Sequence, residues 1–213
     1  MIFPTLRGMR CGYANVAEYG AVWLRAKGLS GNPLLDPTVC QQMIDDLHAE
    51  LGVTWSYGGW LEDRSALWYG SYITERDTPL HLGVDLNVPA GTPLGATCAL
   101  HVLRIDSDHP EPHGWGTRVV ARVLGTPVVL LFAHLQRVQS EVGRVLSPGD
   151  CFAEVGTPDR NGGWYSHLHV QAMHEADDVM CLERLSEVDG YGGRDQRKTL
   201  AGRFPDPLPF LLS

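Results

Sequence analysis

The sequence is short of the features that would send it to a membrane, to nucleic acid or to an oxidising compartment. No apolar run reaches the roughly 20 residues that a bilayer-spanning helix needs. Lys and Arg are outnumbered 17 to 25 by Asp and Glu and are nowhere clustered, so the net charge of -8 argues against a nucleic-acid partner. The opening residues, Met1-Ile2-Phe3-Pro4-Thr5-Leu6-Arg7, have no basic segment followed by a sustained apolar one, and no secretory signal is expected. Five cysteines, Cys11, Cys40, Cys98, Cys151 and Cys181, are odd in number, widely spaced and without a CxxC pair. That pattern argues against a disulfide framework or a thiolate metal site and fits reduced thiols in a cytoplasm. No segment repeats at a fixed period.

What is present is enough apolar material, 44% of 213 residues, to bury a core without disulfides, and one main domain with an appendage is the expectation. Ala17, Ala21 and Leu24, with Val16 and Trp23 beside them, suggest an amphipathic helix over 13–27 that stops at Gly28. A second helix, over 37–51, has both ends marked. Asp36 is its N-cap, Pro37 its first residue, and Val39, Met43, Ile44, Leu47 and Leu51 recur at helical spacing before Gly52. His48 falls near its polar side and is expected to be solvated.

After Gly52 the pattern turns to short aromatic and β-branched runs, and a mostly antiparallel β core is predicted from there on. Residues 53–57, 60–64 and 66–69 read as strands or strand-like loops; Glu62, Asp63, Arg64 and Arg76, set among aromatics, are either surface ion pairs or the lining of a substrate groove. Strands follow over 81–88, 92–96 and 99–105, then a polar loop over 106–116 whose His109 and His113 are expected to be solvated. Residues 118–123 and 127–133 form a hairpin through Gly125, residues 147–150 a turn, and 151–155 a strand. A short helix is expected over 179–185.

The chemistry sits in three apolar runs. His81-Leu82-Gly83-Val84-Asp85 sets two metal-ligand types around a glycine. In a straight strand they would stand about 13 Å apart, too far for one ion, so the backbone must bend between them. His167-Leu168-His169-Val170 puts two imidazoles on one strand face about 6.6 Å apart, so that one can bind a metal while the other reaches water beside it. His134 ends the apolar run 128–133. Two histidines and an aspartate leave a fourth tetrahedral position open, the arrangement of a catalytic zinc rather than a structural one. Two further histidines could orient and deprotonate a water and stabilise an oxyanion. There is no HExxH helix.

Together these motifs resemble the LytM and lysostaphin-type zinc metallopeptidases of family M23. The resemblance runs from about Leu80 to Gln171 and includes His81-Leu82-Gly83-Val84-Asp85, Val88-Pro89-Ala90-Gly91-Thr92-Pro93, Phe132-Ala133-His134-Leu135, the segment 145–150 and His167-Leu168-His169. It implies one zinc ion held by His81, Asp85 and His169, catalytic roles for His134 and His167, and a peptide or peptidoglycan-fragment substrate. The fold implied is an antiparallel β-sandwich or barrel-like core over residues 53–175, with a helical appendage over 1–52 and an extension over 176–213 packed on the core. Two departures bear on the groove: residues 156–166 replace a glycine-rich turn, and Phe132 stands where tyrosine is common. A silent binding module on the same fold, or a phosphocarrier-like protein of similar β architecture, are the alternatives; Asp85 suits a metal better than a phosphate, which it would repel.

Overall fold

A computed structural model describes residues 2–68, 77–109, 113–174 and 189–212. The helix expected over 179–185, and the residues Tyr69, Arg76 and Cys181, lie outside the described residues.

Helix α1 spans Val16–Lys27, shorter than the periodicity suggests, because the Asn15 side chain accepts the Glu18 N–H and caps the helix there. Tyr13 belongs instead to strand β1, Cys11–Tyr13. Helix α2, Pro37–Leu51, starts where Asp36 predicts: its carboxylate accepts the Thr38 and Val39 N–H groups, a cap worth about 1 kcal/mol. The two helices bury Val16, Ala17, Trp23 and Leu24 against Cys40, Met43, Ile44 and Leu47.

The strands that follow are β2 (Trp55–Gly58), β3 (Leu80–His81), β4 (Val84–Asn87), β5 (Pro93–Gly95), β6 (Leu100–Ser107) and β7 (Thr117–Val123). They continue with β8 (Val128–Gln136), β9 (Val145–Leu146), β10 (Cys151–Val155), β11 (Leu168–His174) and β12 (Tyr191–Gly192). One large sheet runs in the order β1-β2-β4-β11-β8-β7-β6-β9, with β10 joining β8 and β5, while β3 and β12 form a separate pair. Pairing is antiparallel except between β1 and β2. The main path ends at β1 and β9, so no barrel closes among the described residues.

Residues 65–68 depart from the strand expectation: Ser65–Trp68 is a helical turn, α3. The Asp63 carboxylate accepts the Ser65 N–H, and Leu67 inserts into the core between α1 and α2, so capping and packing override the aromatic pattern. Of residues 60–64, only Asp63 makes a ladder contact, an isolated bridge to Leu80.

Strand β8 is buried on both faces. Val128, Leu130 and Phe132 enter the core that also takes Ile2, Phe3 and Leu211. Val129, Leu131 and Ala133 face a second cluster with Leu61, Leu80, Leu82 and Phe204. Helix α4, Arg197–Arg203, adds Leu200 to that cluster. Double burial explains the uninterrupted apolar run and makes β8 the rigid spine from which His134 emerges.

Candidate metal centre

Strand register brings the site together. In the β4–β11 ladder Asp85 lies opposite His169, and in the β11–β8 ladder His169 lies opposite Ala133, the neighbour of His134. His81 arrives from β3, which leaves the main sheet to pair with β12. The expected bend is therefore present: His81 Nε2 is 3.4 Å from Asp85 Oδ1. Gly83 permits it for a reason other than turn geometry, since its backbone is outside the left-handed region. A Cβ there would sit 2.5 Å from both Cε1 and Nε2 of His169 and 2.6 Å from the Val170 carbonyl, so the bend carries the chain against the imidazole with no room for a side chain.

The hydrogen bonds around the ring nitrogens set which of them carries the proton. His81 Nδ1 donates to the Gly59 carbonyl at 2.9 Å, which leaves Nε2 as a bare acceptor. Gln171, fully buried, donates its amide to the Asp189 carbonyl, and its oxygen therefore faces His169 Nε2 at 3.3 Å. With its proton on Nε2, His169 presents a bare Nδ1, 3.0 Å from both Asp85 Oδ1 and His81 Nε2. His81, Asp85 and His169 thus offer ligand atoms all within 4.8 Å of one another, a group able to hold a metal ion. The partner-oriented imidazoles are of the kind that metal ligands use.

His134 and His167 line the same cleft with rings 4.5 Å apart. His134 has φ of 64°, a strained value for a residue with a Cβ, and donates Nδ1 to the Asn161 carbonyl at 2.8 Å. His167 stands just before β11 rather than inside it, donates Nδ1 to the Tyr165 carbonyl at 2.9 Å, and points Nε2 to within 3.8 Å of Asp85 Oδ1. It still shares the cleft with His169, although strand alternation is not what puts it there. Burial lowers the pKa of His167, and burial with the neighbouring His167 holds His134 well below the ordinary value. Burial and then the Arg64 charge push His81 down to about 4. Burial opposes ionisation of Asp85, but His81 and the Arg64 guanidinium overcome it and its pKa lies well below the usual carboxylate range. At neutral pH His81, His134 and His167 are therefore neutral imidazoles beside the Asp85 carboxylate.

Several contributors were not evident from the sequence. Arg64, read from the sequence as either a surface ion pair or a groove-lining charge, is 4% exposed and lines the cleft; what the sequence did not show is its bond to Asp85. Gln171 was available to the alternation rule applied to His167 and His169, being two further along the same strand. His48 is half-buried rather than solvated: its Nε2 is 2.8 Å from Ser56 Oγ, to which Asn87 donates, and Asn87 Oδ1 accepts from the Tyr165 hydroxyl. Tyr165 in turn stacks on His167 at 4.3 Å. His113 is exposed but lines the cleft mouth with its ring 5.3 Å from that of Trp164; His109 is exposed and is not among the lining residues.

A fold of this kind with a histidine–aspartate centre defines a candidate metallohydrolase. The sequence model of peptidase family M23 matches residues 79–181, which contain His81, Asp85, His134, His167 and His169. No curated protein sequence matches significantly. Among solved structures, the chain is similar to the catalytic domain of the antimicrobial peptidase lysostaphin from Staphylococcus simulans, with 20% identity, 63% of this chain and 81% of that one covered, and a TM-score of 0.45. It is also similar to LytU, with 24% identity, coverage of 61% and 71%, and a TM-score of 0.42. A zinc-containing peptidase from Vibrio cholerae shares 22% identity over 46% of this chain, with a TM-score of 0.39, and this chain spans 28% of its length.

Proposed function

We propose that the chain is a zinc-dependent peptide or amide hydrolase in which His81 Nε2, Asp85 Oδ1 and His169 Nδ1 hold one zinc ion and His134 and His167 are the catalytic histidines. The observation that carries this reading is the meeting of three acceptors. Two bare imidazole nitrogens and a carboxylate oxygen lie 3.0 to 3.4 Å apart, each with its other polar atom already bonded elsewhere. Such atoms repel one another unless a cation lies between them, and an N,N,O set suits zinc.

Zinc held there would polarise a substrate carbonyl and lower the pKa of water. The protein's own share is to hold protons at stated atoms. With Nδ1 donated to a carbonyl, His134 and His167 each present Nε2 as the site that takes a proton from an attacking water. Once protonated, the same nitrogen donates to the oxyanion or to the leaving amine. Trp115, Trp164, Tyr165 and Leu34 line the cleft, favouring a slim, largely uncharged peptide and excluding bulk water. Peptidoglycan-derived peptides are the substrates proposed first, following the resemblance of the motifs to the LytM and lysostaphin-type metallopeptidases. The division into 1–52, 53–175 and 176–213 remains our proposal, as does a cytoplasmic location, which rests on the odd and widely spaced cysteines; among the described residues no helix is long and apolar enough to cross a membrane.

Metal analysis of the purified chain, followed by a screen of peptidoglycan fragments and ordinary peptides with and without chelator, tests the reading. One zinc per chain and chelator-sensitive hydrolysis are expected. A chain that takes up no zinc overturns it, and zinc uptake without hydrolysis of any peptide would favour the silent binding module.

A further inference from the structure

The residues preceding the family region supply a contact that the five histidine and aspartate positions do not account for. Arg64 Nη1 donates to Asp85 Oδ2 at 2.6 Å, and both side chains are almost fully buried. Arg64 Nε donates to Glu62 Oε2 at 3.2 Å, and Glu62 Oε1 accepts the Ala17 N–H in the first turn of α1, also at 3.2 Å. Asp85 is therefore divided: Oδ1 faces His81 and His169, while Oδ2 is tied through Arg64 and Glu62 to a helix start. Gly59 makes the approach possible. Its φ is 103°, and a Cβ on it would lie 2.3 Å from Arg64 Nη2, 2.8 Å from His81 Nδ1 and 2.9 Å from Glu62 Oε2.

We propose that Arg64 is a positioning residue that holds Asp85 as a one-oxygen ligand and so keeps a coordination position open for water and substrate; this rests on the metal-centre reading above. A carboxylate left to itself can turn and chelate an ion with both oxygens, occupying a position that a catalytic site must keep open. With Oδ2 in a short charge-assisted bond inside a water-poor site, that rotation requires breaking a buried ion pair. The charges also balance. Glu62 neutralises Arg64, so the full negative charge of Asp85 remains for the ion, and the guanidinium does not add an uncompensated positive charge beside a dication. Glu62, Arg64 and Gly59 all lie outside residues 79–181, the segment that the family model matches.

The test compares wild type, Arg64→Met and Arg64→Lys, each loaded with zinc for crystallography and with cobalt(II) for visible absorption, which reads coordination number. In wild type one Asp85 oxygen should contact the ion. In Arg64→Met both should, with an altered cobalt spectrum, undiminished metal stoichiometry and peptide turnover lowered between about 10- and 100-fold, as for other residues that orient ligands. Arg64→Lys cannot reach Glu62 and Asp85 together in the fork geometry of arginine, and should shift the spectrum in the same direction by less. If Arg64→Met does not fold, the lysine variant decides. Glu62→Gln, which preserves shape, should weaken cobalt and zinc binding in chelator competition by removing the balancing charge. One-oxygen coordination and an unchanged spectrum in the arginine variants would overturn the proposal. Failure of wild type itself to bind either metal would instead overturn the metal-centre reading, so the two failures are separable.

Discussion

On the sheet side of the cleft, Asp85, Ala133 and His169 stand abreast because three antiparallel strands register them. On the N-terminal side, the cleft is reached by single bonds from far away in sequence: Gly59 to His81, Arg64 to Asp85, and Gln41, which accepts the Ser166 N–H at 3.0 Å just before His167. A ladder is redundant, since many backbone bonds survive the loss of any one side chain. A single side-chain bond has no substitute. The difference implies that substitutions of ligands on the sheet should change metal content in an all-or-none way with the fold intact, whereas substitutions among the supporting bonds should give graded losses.

The largest effect expected is from Asp85→Ala, which removes the one anionic member of the proposed ligand set and should take zinc from stoichiometric to trace levels by elemental analysis. Stoichiometric zinc in that variant would contradict the ligand assignment. His134→Ala comes next. It should leave zinc and secondary structure unchanged while lowering turnover by about 10²-fold or more, and turnover equal to wild type would remove His134 from the chemistry.

Gln171→Leu probes a supporting bond that happens to lie on the sheet. Loss of the acceptor at His169 Nε2 frees that ring to change tautomer, and zinc affinity should fall between about 10- and 100-fold in chelator competition. No change in affinity would mean that the ladder alone orients the imidazole, which would dissolve the contrast between the two sides. The smallest effect concerns His48. Burial lowers its folded pKa below the ordinary value of 6.5, so the folded state binds fewer protons than the unfolded chain as acid is added. The stability it contributes is full above the unfolded pKa and is lost as pH falls through the folded one. Wild type should therefore lose more stability than His48→Gln on acidification from neutral pH, as read by denaturation midpoints; equal losses would show that His48 is proton-accessible when folded.

The same contrast explains what could be read in the sequence. Helix α2 is marked at both ends by Asp36, Pro37 and Gly52, and β8 by its unbroken apolar run, because those signals are local. The candidate site was legible where its residues share a short segment, as in His81 to Asp85 and His167 to His169. The helical turn at Ser65–Trp68 was hidden because Leu67 answers to the α1–α2 core rather than to its neighbours. Arg64 was visible as a charge among aromatics, but nothing local says that a guanidinium at position 64 will meet a carboxylate at position 85. His48 looked like a polar-face residue because Ser56 and Asn87, which make it part of a buried network, lie on strands the helix pattern does not contain.

The measurement that tests the central claim most directly is the zinc content of His169→Ala beside that of His167→Ala, with turnover recorded for both on a substrate found by screening. The two imidazoles lie in one cleft two residues apart, yet His169 Nδ1 is 3.0 Å from Asp85 Oδ1 and His167 Nε2 is 3.8 Å from it. The account predicts loss of zinc in His169→Ala, and retention of zinc with loss of turnover in His167→Ala. Zinc lost from His167→Ala and kept by His169→Ala would contradict it.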